Sequence, residues 1–482
     1  MTLAELLAEI EDGPQGPKVG AFFDFDGTLI AGYSAAAFYE DRVRRREFGV
    51  GEAVRTLLAA TEMAVLGTDV NKLMGVAIAN WAGRSEDEVT ETFARLFHDR
   101  IAGMVYPEAR ELIKAHQRAG HTVALATSAT RYQAAPLAED LGVDQVLCTE
   151  VEVVQGNFSG FFSGDILWGP NKATAVKRLA RRKRLQLARS YGYANGDEDV
   201  FFLEAVGNPR PLNPASGLER AAREHDWPVS RFSSRGRPGL RSTIRTGAAL
   251  AGLSAAGGVG IAVGALNRSR RQAANVATAI GPDLALALAG VELNVTGAEH
   301  LWSHRPAVFI FNHQSSIDVA ILGSLIRRDL TGVAKKELSR DPRFALIGFI
   351  ADIAYIDRAN SAQARAALEP AVEKLRSGVS IAIAPEGTRS ATRRLGRFKK
   401  GAFHLAMQAG VPIVPIVIRN AGDVMWRGSV LIRPGTVDVA VLPPVSTDEW
   451  TAGELGARVD EVRDQFLETL EDWPSRSSDD TL

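Results

Sequence analysis

Short apolar runs that end abruptly in polar or glycine residues recur along both halves of the chain. Examples are residues 19–23, 122–126, 306–311 and 381–384, each continuous in hydrophobic side chains rather than alternating. Runs of this kind are typical of strands buried on both faces, which occur in parallel sheets covered by helices. The segments between them carry helix-type periodicity. The pattern therefore predicts an α/β fold in both halves.

Length and composition limit the architecture further. The chain has 482 residues, of which 46% are hydrophobic and 23% charged. These values exclude a disordered chain and a bundle built wholly of membrane helices, and they predict two to four domains. The single cysteine, Cys148, excludes an internal disulfide and a cysteine-rich metal site.

A basic segment separates the two halves. Residues 227–282 contain eight arginines and no acidic residue, and within them 246–267 is an uncharged stretch of 22 residues rich in glycine and alanine. About 20 residues suffice to cross a bilayer, but a buried helix of small residues or a membrane-embedded hairpin fits equally well. The flanking arginines favour contact with anionic lipid, although both ends are basic and so set no orientation. The acidic N-terminus, 1–13, does not have the pattern of a secretory signal.

The first candidate site follows the run 19–23, where the sequence reads Asp24-Phe25-Asp26-Gly27-Thr28-Leu29. Strand alternation lets Asp24 and Asp26 point the same way, and Gly27 permits a sharp turn after them. Two adjacent carboxylates repel each other unless a cation joins them or one of them is protonated. The arrangement predicts an aspartyl nucleophile beside a general acid/base, with Mg²⁺ neutralising a phosphate. A calcium loop or an incidental acidic turn is the alternative.

This motif resembles the signature of the haloacid dehalogenase superfamily, particularly its phosphoserine-phosphatase-like branch, over residues 18–228. The resemblance implies a Rossmann-like parallel sheet with a helical cap at about 30–106. It also implies that Asp24 and Asp26 are catalytic, that Ser128 contacts the phosphoryl group and that Lys172 offsets its charge. The fourth motif of the family departs from its usual form, because Asn195 stands where an aspartate is expected.

The resemblance implies a metal site formed by Asp24, Asp26, Asn195 and Asp199. An amide can bind Mg²⁺ through its oxygen but brings no charge, so metal affinity should fall unless Asp197 or Asp199 compensates. Two interpretations follow: an active Mg²⁺-dependent phosphatase, or a domain that binds a phosphate-bearing ligand without turnover.

The second half carries a different constellation. The run 306–311 ends in Asn312-His313-Gln-Ser-Ser-Ile-Asp318, which places a histidine five residues before an aspartate. A carboxylate at that spacing can fix the imidazole tautomer and support its charge, so that the histidine takes a proton from an alcohol. A buried structural histidine is the alternative. Three further blocks follow: one ending in Asp357-Arg358, one reading Pro385-Glu386-Gly387-Thr388-Arg389, and an apolar block around Pro412, whose prolines are unfavourable in a central strand.

Together these four blocks resemble the glycerophospholipid acyltransferase family, closest to lysophosphatidic acid acyltransferases, over residues 291–445. The resemblance implies that His313 is the general base and Asp318 its orienting partner. The acceptor would be held by Arg358, Glu386, Gly387, Thr388 and Arg389, and the acyl chain would pass Pro412. Ala384 and Ala354 replace larger residues of the family, which widens the site.

The predicted architecture is an N-terminal extension at 1–17, a phosphatase-type domain at 18–228, a membrane-associated linker at 229–290, an acyltransferase domain at 291–472 and a disordered tail at 473–482. We expect acyl transfer from acyl-CoA or acyl-carrier protein to a lysophosphatidate-like membrane lipid, on an anionic membrane surface facing the cytoplasm. Alternatives are a phosphomonoester phosphatase anchored by the second half, or a first half that only senses phosphate. No nucleic-acid partner is expected, because the basic clusters lack interleaved aromatic residues.

Overall fold

A computed structural model describes residues 1–45, 70–236, 239–335, 354–356, 368–390 and 392–474. The chain divides into two compact units, unit 1 at Met1–Arg237 and unit 2 at Pro238–Leu482. Each unit has its own sheet. The predicted α/β class is confirmed in both. Arg358 and residues 475–482 of the predicted tail lie outside the described residues, as does part of the predicted cap, 46–69.

The main sheet of unit 1 has five parallel strands in the order β3-β2-β1-β6-β7. Strand β1 lies at its centre, with Gly20 opposite Thr122 and Phe23 opposite Leu125, and its four residues are fully buried. The strands of the unit are β1 Gly20–Phe23, β2 Thr122–Thr130, β3 Gln145–Thr149, β4 Val151–Val154, β5 Asn157–Phe162, β6 Tyr191–Ala194 and β7 Asn208–Pro211. Strands β4 and β5 form a separate antiparallel hairpin.

Two helices of unit 1 end or begin at recognisable capping residues. Thr2 and Glu5 form a capping box at the first helix, and Gly142, in the left-handed conformation, ends the sixth. The helices are α1 Leu3–Asp12, α2 Ser34–Arg44, α3 Val70–Ala79, α4 Glu86–Asp99, α5 Pro107–Arg118, α6 Arg131–Leu141, α7 Pro170–Lys183, α8 Val200–Leu203 and α9 Ser216–Glu224.

The sheet of unit 2 has seven strands in the order β11-β10-β12-β9-β13-β14-β8. All neighbours are parallel except β13 and β14. The strands are β8 Val291–Thr296, β9 Val308–Phe311, β10 Leu330–Lys335, β11 Ala354–Ile356, β12 Ser380–Ile383, β13 Ile413–Ile418 and β14 Gly435–Val441.

The expectation that prolines keep the fourth block out of a central strand is wrong. Strand β13 is fully buried between β9 and β14. Pro415 is tolerated because it lies opposite Leu442, just beyond the end of β14, where its carbonyl still accepts the Leu442 N–H at 2.9 Å. The proline therefore removes only one N–H donor from the hydrogen bonds between β13 and the segment that continues β14.

Two long helices precede the sheet of unit 2 and pack as an antiparallel pair. These are α10 Leu240–Leu266 and α11 Arg270–Ala289, joined by a three-residue turn. Small residues allow the close approach: a Cβ at Gly260 would lie 2.6 Å from the Ala273 carbonyl oxygen, and one at Gly264 would lie 2.5 Å from the Ala273 Cβ. The uncharged stretch is thus one arm of a helical hairpin whose second arm the sequence analysis did not identify.

The remaining helices of unit 2 are α12 His300–Ser303, α13 Asp318–Ile326, α14 Glu369–Arg376, α15 Gly401–Ala409, α16 Ala421–Val424 and α17 Leu455–Glu471. Helix α11 packs on α13, where Gly323 lies against Pro282. Among the residues described, α10 is the helix long and apolar enough to cross a membrane, with a mean hydropathy of 1.8 over its most apolar window and a third of that window buried.

Candidate active sites

The site of unit 1 is built where β1, β2 and β6 end at the same edge of the sheet. Asp24 directly follows β1, and the buried Lys172, in the first turn of α7, donates to its Oδ1 at 2.9 Å. The same ammonium donates to Asp199 Oδ1 at 2.5 Å. Burial alone would lower the pKa of Lys172, but the two carboxylates outweigh it and raise that pKa above its usual value. The structure thus brings Asp24, Lys172 and Asp199 together.

Asp26 lies beside this cluster but is held separately. Its two carboxylate oxygens accept from Ser34, from the backbone N–H at 2.6 Å and from the hydroxyl at 3.0 Å. Gln133 in turn donates to the Ser34 hydroxyl at 3.1 Å. Burial, with a smaller contribution from Asp24, raises the pKa of Asp26 to about 7 despite these hydrogen bonds. A carboxyl group of that pKa can exchange a proton near neutral pH.

Asn195, which follows β6, meets the Asp24 loop through Thr28. The Thr28 hydroxyl lies 2.9 Å from Asn195 Oδ1 and 3.2 Å from Asp24 Oδ2, so both oxygens converge on one point. Gly27 is required here, because a Cβ would lie 2.2 Å from the Asn195 amide nitrogen and the backbone φ is +78°. Thr28 belongs to the quoted motif, but the sequence analysis gave it no role.

Asp197 does not compensate for Asn195. Its carboxylate accepts the Leu218 N–H at 2.7 Å near the start of α9, and it is exposed. Two other residues near the carboxylates were missed by sequence reasoning. Burial and the charges of Glu198, Asp26 and Asp24 raise the pKa of Tyr33, and burial also raises that of Glu198. Ser128 lies partly exposed near the end of strand β2, where its carbonyl accepts a hydrogen bond from the Thr149 hydroxyl.

These donors suit a hard cation. Asp24, Asn195 and Asp199 offer oxygen ligands, and the carboxylates of Asp24 and Asp199 outnumber the single lysine that they share. Within the described residues no group of three or more histidine, cysteine, aspartate or glutamate side chains could by itself hold a metal ion. With an amide at Asn195, this set of oxygen donors fits Mg²⁺ but would bring fewer negative charges to the ion.

The site of unit 2 centres on His313, between β9 and α13. His313 Nδ1 lies 2.8 Å from Asp318 Oδ2, the same oxygen that accepts the N–H groups of Gln314 at 2.8 Å and Ser315 at 2.9 Å. The Asp318 side chain is fully buried while that of His313 is 22% exposed. Because the carboxylate occupies Nδ1, Nε2 is the nitrogen that can receive a proton from a substrate.

Glu386 joins two backbone segments of the site. Its Oε1 accepts the His313 N–H at 2.9 Å and its Oε2 accepts the Gly396 N–H at 2.9 Å. Burial raises the pKa of Glu386 in spite of these bonds. A Cβ at Gly396 would lie 2.8 Å from Oε2, so only glycine fits there without displacing the carboxylate. Both oxygens face the backbone, whereas the sequence analysis assigned Glu386 to the acceptor.

The other residues of the third block lie around the same loop. Gly387, at φ +75°, turns the chain after Glu386, and Thr388 is exposed. Arg389 donates to the Ser316 hydroxyl at 2.5 Å, and the Ser390 N–H donates to the His313 carbonyl at 2.6 Å. Arg389 is thus placed at the N-terminus of α13, beside the His313 motif.

Two further contacts fix the His313 motif, and both involve residues that the sequence analysis left without a role. Asn312 pairs reciprocally with the backbone of Ile418, at 2.7 Å in each direction, and so joins the ends of β9 and β13. Ser315 donates to the Met425 carbonyl. Pro412, in contrast, lies before the first residue of β13, where its carbonyl accepts the Val308 N–H at 3.0 Å at the start of β9. The structure does not bring Pro412 to His313, which follows the opposite end of that strand.

Comparisons with known proteins agree with two enzyme domains. The haloacid dehalogenase-like hydrolase family matches residues 21–204, and the acyltransferase family matches 292–419. The inhibition of morphological differentiation protein of Streptomyces azureus is 31% identical over 272 residues, which are 54% of this chain and 96% of that protein. The chain therefore belongs to the haloacid dehalogenase-like hydrolases and carries a second, acyltransferase domain.

Two further relatives each resemble one of the two domains. The phosphoserine phosphatase SerB1 of Mycobacterium tuberculosis is 35% identical over 49% of this chain and 79% of its own length. The 1-acyl-sn-glycerol-3-phosphate acyltransferase of Limnanthes alba is 35% identical over 39% of this chain and 66% of its own length. The predicted tandem of a phosphatase-type and an acyltransferase domain is confirmed.

Proposed function

We propose that unit 2 transfers an acyl group from an acyl thioester to the free hydroxyl of a lysophosphatidate-like lipid, giving phosphatidate. The observation that carries the proposal is the pair His313 and Asp318, with Nδ1 held by a buried carboxylate at 2.8 Å and Nε2 left for the substrate. The likeness to lysophosphatidic acid acyltransferases supports the choice of acceptor.

In the proposed reaction the acceptor oxygen attacks the thioester carbonyl carbon while His313 Nε2 takes the hydroxyl proton. Asp318 stabilises the imidazolium that forms. The tetrahedral oxyanion then collapses, the carbon–sulfur bond breaks, and the leaving thiolate receives the proton from His313. Arg389, next to Ser316, is positioned to bind the phosphate of the acceptor, since guanidinium groups donate two hydrogen bonds to such oxyanions. We assign Arg358, Gly387 and Thr388 to the same acceptor.

Unit 1 is proposed to be a phosphomonoesterase with Asp24 as nucleophile and Asp26 as general acid/base. Lys172 and the Ser128 hydroxyl would hold the phosphoryl group, and Asp24, Asn195 and Asp199 would hold Mg²⁺. Bound Mg²⁺ would neutralise charge on the phosphate. Asp26, whose carboxylate oxygens both accept from Ser34, serves better as a proton donor than as a metal ligand.

The helical hairpin is proposed to associate the chain with an anionic membrane, with both sites on the cytoplasmic face. Large apolar side chains remain exposed on it, among them Leu250, Val259, Ile280 and Leu288. Arginines lie at both ends of α10 and at the start of α11. Washing membranes separates two forms of association: release by high salt indicates adsorption through arginine, and retention until detergent is added indicates insertion of apolar surface. A full-length chain that stays in the soluble fraction with anionic vesicles at low salt would contradict both.

Product analysis by mass spectrometry tests both activities. The purified full-length protein is supplied separately with acyl-CoA or acyl-carrier protein plus lysophosphatidate, and with Mg²⁺ plus a panel of phosphomonoesters. We expect phosphatidate in the first reaction and free phosphate from at least one member of the panel. Absence of phosphatidate would contradict the acyltransferase proposal. Phosphate release alone would favour the anchored phosphatase, and failure of every phosphomonoester would favour a phosphate-sensing role for unit 1.

A further inference from the structure

A compact loop between α16 and β14 lies beside the His313 motif. We call residues 426–433 the docking loop. The Arg433 N–H donates to the Val424 carbonyl at 2.7 Å and closes its base, and the Ser429 N–H donates to the Trp426 carbonyl at 2.9 Å across a turn. Gly428, at φ +84°, supplies the left-handed position of that turn. The loop is therefore an ordered element with a defined tip.

The docking loop is connected both to the catalytic motif and to the helical hairpin. Met425, just before it, accepts from Ser315 of the His313 motif. The Ile432 N–H donates to the Thr246 hydroxyl of α10 at 2.9 Å, and Thr246 is buried at that contact. These two hydrogen bonds hold the loop between the start of α10 and the His313 motif, and together they form one edge of unit 2.

The side chains of this edge are apolar and basic. Val430 at the tip is 75% exposed, and Leu240 and Ile244, in the first two turns of α10, are 77% and 62% exposed. Arg427 and Arg433 flank the tip, while Arg241 and Arg245 lie on the same turns as the exposed α10 residues, and neither segment contains an acidic residue. Exposed apolar side chains next to arginine, with Trp426 at the base of the tip, match the composition that binds the interface of an anionic bilayer.

We propose that the docking loop and the first two turns of α10 form an interfacial edge that seats an anionic lipid bilayer next to His313. Val430 inserts among the headgroups, and Arg241, Arg245 and Arg427 contact lipid phosphates. This edge is distinct from the outer faces of the hairpin, because it adjoins the catalytic motif and so can bring a bilayer-borne acceptor to Nε2. The effect of this edge on acylation rests on the proposed acyl-transfer function. The contact between the edge and the bilayer does not.

A labelling experiment tests the contact without any activity. Cys148 is buried and its thiol pKa is raised to about 12 by burial, so a thiol reagent should modify an introduced surface cysteine selectively. A polarity-sensitive fluorophore is attached to full-length Val430→Cys, and the matched control is Val154→Cys, a 54% exposed valine of unit 1. Vesicles contain phosphatidylcholine alone or with phosphatidylglycerol. We expect a blue shift of emission at 430 with the anionic vesicles and none at 154. No shift at 430, or equal shifts at both positions, would overturn the proposal.

A kinetic experiment tests the consequence. Val430→Asp should lower acylation of bilayer-borne lysophosphatidate about tenfold, because a charged side chain replaces an inserted apolar one, and should change the rate with a short-chain soluble acceptor less than twofold. Val430→Leu should retain the rate with both acceptors. An equal loss with both acceptors would contradict docking. If the wild-type protein acylates neither acceptor, the proposed function fails, and the fluorescence result still decides whether the edge binds lipid.

Discussion

In unit 1, two buried carboxylates, Asp24 and Asp199, share one lysine, whereas in unit 2 a single buried carboxylate, Asp318, accepts three hydrogen bonds. In the second arrangement all three hydrogen bonds reach Oδ2 of Asp318, and two of their donors are backbone N–H groups three and four residues away, whereas Oδ1 is buried without a hydrogen-bond partner. The first retains negative charge that a cation would neutralise. We therefore expect the two sites to depend on different conditions: unit 1 on a bound cation, and unit 2 on the geometry of its own backbone.

The substitution Asp24→Asn should separate the activities of the two units most clearly. We expect loss of all Mg²⁺-dependent phosphate release, because the variant removes the proposed nucleophile, and nearly unchanged thiol release from acyl-CoA with lysophosphatidate. Both are measured on the same full-length preparation. If thiol release also vanishes while the protein stays folded, the two units are coupled and the phosphate-sensor interpretation gains support.

His313→Ala is the reciprocal change. It should lower thiol release about 10²- to 10⁴-fold, the range expected for loss of a positioned general base, and leave phosphate release unaltered. Asp318→Asn serves as the companion variant, because it retains the volume of the side chain while removing the charge that supports the imidazolium. A His313→Ala enzyme that keeps more than half of the wild-type rate would exclude His313 from the mechanism.

Glu386→Gln tests whether the backbone geometry of unit 2 matters as much as its charged pair. One end of the amide would present an N–H group to the N–H of His313 or Gly396, so one of the two 2.9 Å hydrogen bonds is lost. Hydrogen bonds to charged groups contribute about 1.5–3 kcal/mol, so kcat should fall about tenfold or more through misplacement of His313.

The split between kcat and KM distinguishes two roles for Glu386. A positioning role, acting through His313, predicts a lower kcat with a nearly constant KM for the acceptor and an altered pH profile of kcat. Direct binding of the acceptor, the role expected from the sequence, predicts mainly a higher KM. The second outcome would show that Glu386 leaves the backbone when the acceptor binds.

Asn195→Asp examines the ion dependence of unit 1. An added carboxylate next to Thr28 should strengthen Mg²⁺ binding, and we expect the half-saturating Mg²⁺ concentration for phosphate release to fall about tenfold. Calorimetric titration of Mg²⁺ into the wild-type protein and into Asn195→Asp measures the same difference without turnover. An unchanged half-saturating concentration would place Asn195 outside the metal site.

The elements that sequence reasoning predicted are those encoded by local pattern. Strands β1, β2, β9 and β12 fall on the continuous apolar runs, and the motifs follow their ends because polar side chains must leave the core there. Helix α11 was missed because Asn275, Pro282 and Asp283 interrupt its apolar face, and it is stabilised by packing against α10 and α13 rather than by its own composition. The hydrogen bond between Glu386 and the His313 backbone was also not predicted, because the two residues lie 73 positions apart in sequence.

The smallest expected effect is a change of stability with pH, and it comes from a row of buried, uncharged side chains in unit 1 that are joined by hydrogen bonds. His121 Nε2 lies 2.7 Å from the Pro14 carbonyl and must donate to it, so His121 Nδ1 accepts from His116 Nδ1, and His116 Nε2 accepts from the Tyr193 hydroxyl. Burial, and then the neighbouring His121, lower the pKa of His116 to about 3. A protonated His116 would donate from Nε2, so the Tyr193 hydroxyl would have to accept where it now donates.

Below about pH 6.5 the unfolded chain therefore binds a proton at His116 that the folded chain does not, and the stability of unit 1 falls as the pH falls from that value toward 3. At pH 5.5 the loss should be about 1.4 kcal/mol relative to pH 8. Hydrogen exchange of peptides that contain β1 and β6 measures it, with peptides from β9 and β13 in the same sample reporting on unit 2. His116→Phe should be less stable at every pH, because Tyr193 and His121 lose a partner. Its β1 and β6 peptides should show a smaller slope, the remainder arising from His121, whose pKa burial also lowers. A slope of equal size in the variant would show that another group carries the acid sensitivity of unit 1.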